Sequence, residues 1–167
     1  MPRNGTTRVY IPTTLPDLAR AHAAGELGGP GAAAHAVTPR IREWYVAGDL
    51  DELEYASLLE AAEASLRLLA VVRDVPRRRV VVAADVPESC VTAAGPFRSS
   101  VELSGVVPLD AVVSVHLDEP GAVPAVTAAI EAVPAADAGD EDAQFLLDEV
   151  EAHDLLWYDV SEIPHLG

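Results

Sequence analysis

RRRVVVAADVP, residues 77–87, is the stretch on which the fold turns. Val80 to Ala84 is apolar without interruption, and Asp85 is the first polar residue. A strand with one wet face alternates apolar and polar residues, so a continuous run reads as a strand buried on both sides. Such a strand needs strands beside it and packed layers around it. Pro87 closes the run.

Upstream, Arg8–Pro12 reads as a first strand and Ala33–Val37 as a second. A helix signal follows each. Thr14 is an N-cap with Pro16 in the first turn and Asp17 at the positive helix end, and that helix stops at Gly25. Thr38-Pro39 repeats the device, opening a helix that carries Trp44 and Tyr45 and ends at Gly48. Asp49, with Glu52 three residues on, opens the longest helix, reaching Val72. Tyr55, Leu58, Leu59, Ala62, Leu66 and Leu69 fall on one face of it. Glu60, Glu63 and Arg67 fall on the other, with Glu63–Arg67 an i,i+4 pair. Gly28-Gly29-Pro30-Gly31 is a loop and not a dinucleotide fingerprint, because no strand leads into it and no helix opens from it.

Downstream, Cys90–Thr92 is a short strand. Ser99–Val107 alternates like a half-exposed strand, and Ala111–Leu117 is another. A helix is expected over Gly121–Val133, a linker over 134–139, and a last helix from Asp140 to Glu162. Along that helix Leu146, Val150, His153, Trp157 and Val160 step by fours and threes, forming one docking seam. Asp154 lies off it. The order is β-α-β-α-α-β, then a β-meander, then two helices. It predicts a mixed α/β sandwich of two or three layers, with a sheet of five to six strands and a C-terminal helix packed on it. Residues 8–167 read as a single domain.

Composition narrows the chemistry. Residues 1–100 hold 11 Arg and 12 Asp/Glu, a net of −1, whereas 101–167 hold 15 Asp/Glu and no Arg, within a total of −16. A chain this acidic repels phosphate backbones, so nucleic acid is not an expected partner. The acidic half is either a solvated face or a docking face for a basic partner. There is no Lys. That excludes a Walker-type phosphate loop and Schiff-base chemistry. The single cysteine, Cys90, excludes an internal disulfide and a multi-cysteine zinc site. No apolar run approaches a membrane span, and the first residues lack a signal-peptide core. A soluble cytoplasmic protein is expected, with no membrane partner.

Candidate site residues are few. If the first three strands ran parallel, Thr13, Thr14, Thr38 and Asp85 would gather at their carboxyl edge, where open α/β sheets bind ligands. Capping alone also accounts for both helix-opening threonines. His116 and Asp118 share a strand face, and His–Asp pairs tune bases or bind metals. His153 is either a satisfied core histidine or a functional one. Glu149 and His153 have ligand spacing, but no third ligand is signalled, so no metal and no cofactor is expected. Arg73, Arg77, Arg78 and Arg79 form the one basic cluster. It could meet an anion or acidic partner, or pair with the acidic half of the same chain or of a second copy.

The stretches VYIPTTLPDL, AVTPRIREWYVAGDLDELEYASLLEAAEASLRLLA, RRRVVVAADVP and HDLLWYDVSEIPHL resemble an uncharacterised actinobacterial family, a domain of unknown function, across nearly the whole chain from Arg8. The Arg-only, Ala- and Val-rich composition of a GC-rich genome agrees. The resemblance implies that residues 1–7 are a flexible extension ahead of the domain at 8–167, and it implies no activity. Two functions stay open on the residues: a non-catalytic interaction or regulatory module, alone or as a homodimer, and a small-molecule-binding protein or enzyme with a pocket at the ends of the N-terminal strands.

Overall fold

The structure, a computed structural model, describes residues 5–72 and 74–167. In chain order it has β1 (Thr6–Thr13), α1 (Leu15–Ala24), β2 (Glu26–Gly28), β3 (Ala32–His35), α2 (Pro39–Trp44) and α3 (Leu50–Val71). Then follow β4 (Val80–Pro87), β5 (Val91–Ala93), β6 (Ser100–Leu103), β7 (Val106–Pro108) and β8 (Val112–Asp118). The chain closes with α4 (Val123–Asp137), α5 (Glu141–Val150), β9 (Leu155–Tyr158) and a 3₁₀ helix over Val160–His165.

The mixed α/β architecture is as expected, around a larger sheet. Among the described residues it has seven strands in the order β5-β6-β3-β1-β4-β8-β9, with β2 and β7 paired separately. Every pairing is antiparallel. β4 sits between β1 and β8, and Val80 to Ala84 are all buried, as an unbroken apolar run requires. Alternation sends Val9, Ile11, Val80, Val82, Val115 and Leu117 to one face, where Leu15 and Leu18 of α1 and Ile163 cover them. Tyr10, Val81 and Ala83 point to the other, against Leu58, Ala61 and Ala62 of α3. The result is three layers. α4 and α5 pack on one another and on Leu66 and Leu69 of α3.

α3 settles on the sheet through small residues. Ser57, Ala61 and Ser65 are fully buried, spaced four apart on one stripe. The Ser65 hydroxyl donates to the Thr13 carbonyl at 2.9 Å and accepts from Val80 N–H at 3.0 Å, pinning α3 to the β1–β4 seam. This rotates the helix from the orientation its apolar spacing predicts. Tyr55 and Leu59, expected in the core, are 53% and 43% exposed. Glu60, expected in solvent, is half-buried and accepts from Ser99.

The C-terminal quarter departs most from expectation. The 134–139 linker does not form, since α4 runs through Pro134 to Asp137. α5 starts at its Asp140 cap, as predicted, but ends at Val150. Leu155–Tyr158 is a strand, pairing Trp157 with His116 and Leu155 with Asp118. The helical seam through His153 and Trp157 is therefore absent. The unpaired edge of β8 offers backbone hydrogen bonds that local spacing does not reveal, and tertiary pairing overrides helical periodicity. At the other end of the chain, Thr6 and Thr7 lie in β1 opposite Pro87 and Val86, not in an extension. Gly5 accepts from Glu88 N–H at 2.9 Å, and residues 1–4 of that expected extension lie outside the described residues.

Candidate functional site

An antiparallel sheet has no common carboxyl edge, so the expected gathering of Thr13, Thr38 and Asp85 does not arise. Thr13 stands opposite Val80, at the far end of the β1–β4 ladder from the Arg8–Asp85 pair. Thr14 and Thr38 are buried caps. Thr14 accepts from Asp17 N–H and Thr38 from Ile41 N–H, each at 3.3 Å, and Thr38 donates to the Arg98 carbonyl. Thr14 is accounted for by its cap, and Thr38 adds to its cap this one bond to a distant loop.

Asp118 and the arginine cluster form a structural knot. Asp118 is fully buried. It accepts from Arg79 at three points: N–H at 2.8 Å, Nε at 2.9 Å and Nη2 at 2.7 Å. Arg79 also donates to the His153 carbonyl at 2.8 Å, and Arg78 Nε to the Asp118 carbonyl at 2.9 Å. The knot ties the loop before β4 to the end of β8 and to the turn into β9. Arg78 and Arg79 are thus held by the acidic half of their own chain. Arg77 is half-buried, and Arg73 lies outside the described residues.

The sheet face under α3 carries cavities on both flanks of that helix. On the β8–β9 flank, a cleft of ≈ 320 Å³ is lined by Arg8, Tyr10, Asp51, Glu54, Tyr55, Ser114, His116 and Trp157, among others. An adjoining hollow of ≈ 300 Å³ shares Tyr55 and Leu58 with it and reaches His153 and Asp154. His116 lines the cleft and His153 the adjoining hollow, and neither cavity has both histidines in its lining. Asp85 joins the cleft indirectly, through Arg8 Nε at 2.6 Å. That pairing holds Arg8 above the ordinary arginine value. Burial pushes the Tyr10 hydroxyl up to about 12 and raises Glu54. Burial lowers His116, and Arg8 lowers it further. His116 Nε2 lies 3.0 Å from the Ser114 hydroxyl. The cleft thus has a neutral imidazole and a paired guanidinium on its floor, with Asp51 and Glu54 along one wall.

On the β3–β6 flank lies a pocket of ≈ 370 Å³ whose lining is almost wholly apolar: Pro12, Ala33, Ala64, Leu68, Phe97 and Val101 are among its walls. Gly95 helps shape it. Its φ is +129°, and a Cβ there would stand 2.6 Å from Ser100 Cβ, so only glycine lets this loop close against β6. His35 lines the pocket. Nothing in the sequence marks it, because it ends a strand of small residues, AAAH, with no motif around it. Its partners come from distant segments: Ser99 Oγ lies 2.8 Å from Nδ1 and donates to Glu60 at 2.6 Å.

Among the described residues no three His, Cys, Asp or Glu side chains stand together where they could hold a metal ion. None of the helices there is long and apolar enough to cross a membrane. The model of a family of unknown function (DUF6912) matches residues 7–166. The chain belongs to this family. The match spans nearly every element described above, both flanks of α3 included, and carries no activity with it. No curated protein and no solved structure matches the chain.

Proposed function

We propose that this family member is a non-catalytic cytoplasmic interaction module that receives an extended, basic segment of a partner protein along β9. One observation carries the reading. The sheet ends on β9, whose ladder partner among the described residues is β8 alone, and Leu156 and Trp157 on it are 41% and 60% exposed. An open edge with exposed apolar side chains is a template for strand addition. The cleft beside it supplies specificity for positive charge. Asp51 and Glu54 line one side, and the exposed rings of Tyr55 and Trp157 can take a guanidinium or ammonium over their faces. A net charge of −16 favours a basic partner and opposes pairing of β9 with a second copy of the chain. The lone thiol, Cys90, supports a reducing compartment. The Lys-free composition supports an actinobacterial source.

The test is an NMR titration with a synthetic peptide of alternating Arg and Val. Amide shifts should concentrate in 155–158, weaken with salt, and vanish in Trp157→Ala. A Glu/Val peptide should leave the spectrum unchanged. Equal binding of both peptides, or shifts that spare β9, would sink the reading. A dimer in light scattering, with β9 amides already protected before peptide is added, would assign the edge to self-association instead.

A further inference from the structure

The pocket on the β3–β6 flank is lined by a buried histidine, His35, and the protonation state of its ring follows from the hydrogen bonds around it. The Ser99 hydroxyl donates to Glu60 Oε1 at 2.6 Å, and Ser99 N–H donates to the same oxygen at 2.9 Å. With its only hydrogen committed, Ser99 Oγ can offer His35 nothing but lone pairs. The 2.8 Å contact therefore requires the hydrogen on Nδ1 of His35, and Nε2 is bare. His35 is only 3% exposed. Its Nε2 has no protein partner among the described residues, yet no fully enclosed side-chain nitrogen or oxygen there lacks one. Nε2 is therefore not enclosed, and we infer that it opens onto the cavity that His35 lines.

We propose that this pocket is a binding site for a small apolar or aromatic molecule carrying one hydrogen-bond donor, which His35 Nε2 accepts. The walls give no purchase to a charge: the cavity is bounded by alanines, prolines, Leu68, Phe97 and Val101, and its other polar side chain, Ser100, already accepts from Phe97 N–H at 2.9 Å. A single acceptor in an apolar cavity of ≈ 370 Å³ is the ordinary composition of a small-ligand site, where area supplies affinity and the polar atom supplies orientation. A buried acceptor left without a donor is costly, so a ligand lacking the donor is penalised. Burial pushes the His35 ring down to about 4, so near neutral pH it accepts a hydrogen bond without taking the proton. That suits recognition better than general-base catalysis, which works best with a pKa near the working pH. Phe97 meets the His35 ring edge-on at 5.3 Å and fixes its plane.

Two probes separate donor recognition from plain apolar filling. p-Cresol and p-xylene have the same shape and differ by a hydroxyl in place of a methyl. In methyl and amide NMR titrations of the full chain, p-cresol should shift Ala33, Ala64 and Leu68 and bind at least five-fold tighter than p-xylene. His35→Phe should erase that preference. Ala64→Leu, which fills the pocket from α3 without touching His35, should weaken both probes at least ten-fold. The proposal is overturned if neither probe shifts these residues, or if the two bind the wild-type chain equally. The wild-type comparison and Ala64→Leu decide the matter even if His35→Phe does not fold.

Discussion

His35 and His116 stand on one face of one sheet, on opposite flanks of α3, and each has a serine hydroxyl against one ring nitrogen. Burial lowers both. Their surroundings then diverge. His35 is locked through Ser99 to Glu60, with its other nitrogen facing an apolar pocket. His116 sits on the floor of a charged groove, beside Arg8 and an exposed tryptophan. The same residue type is made into a fixed acceptor on one flank and part of a mixed polar floor on the other. The difference comes from what α3 lays over each: Glu60, Ala64 and Leu68 on the β3–β6 side, Asp51, Glu54 and Tyr55 on the β8–β9 side.

That contrast can be broken most forcefully at the Arg79–Asp118 knot, which anchors the β8–β9 flank. Both side chains are almost wholly buried, at 4% and 0% exposure. Asp118→Ala leaves an uncompensated buried charge and should cost about 3–5 kcal/mol in urea unfolding. A loss under about 1 kcal/mol would mean that the knot does not anchor this flank. Acid comes next. The unfolded His35 has an ordinary value and the folded ring one of about 4. Its contribution is therefore complete above about pH 6.5 and is lost as pH falls towards 4, because the unfolded chain takes up the proton first. Relative to His35→Phe, the wild-type chain should lose on the order of 3 kcal/mol over that window. Parallel stability–pH curves for the two would contradict the lock on His35.

Ser99→Ala probes the same lock from its centre. It strips a partner from both Glu60 and His35 Nδ1, and unpaired buried polar groups cost about 1–3 kcal/mol. The preference for p-cresol over p-xylene should shrink with it. Smallest of all should be Arg8→Ala. The Arg8–Asp85 pair keeps side-chain exposures of 22% and 27%, and pairs that solvent reaches contribute about 1 kcal/mol or less. A loss near that of Asp118→Ala would erase the distinction between a solvent-reached pair and a sealed one.

How much of this is legible in the residues varies along the chain. The caps at Thr14, Thr38, Asp49 and Asp140 are, because a cap is a contact between residues three apart. The buried β4 is, because burial on both faces leaves no room for polar alternation. β9 is not. Its residues fit a helical stripe as well as a strand, and the deciding partner, β8, lies some forty residues upstream. Ser99–Val107 looks like one strand, yet it splits at Ser104-Gly105 so that β6 joins the large sheet and β7 pairs with β2. Of the seven pocket candidates, Thr13, Thr14 and Thr38 were conspicuous only as capping or strand-end residues. Asp118 is a structural anchor, while His116 and His153 line neighbouring but separate cavities. His35, the most constrained histidine, carried no signal.

By itself the sequence determined the element types with strong local causes, the burial of Val80–Ala84 and the uneven charge of −1 against −15. Caps, periodicity and composition act over a few residues or over none, so they survive without knowledge of the fold. Only the tertiary structure decided the antiparallel strand order, the end of α5 at Val150, the rotation of α3 and the union of His35, Ser99 and Glu60. Each of these rests on hydrogen bonds or packing between segments separated by tens of residues. Which partner satisfies a buried polar group is a property of the assembled chain.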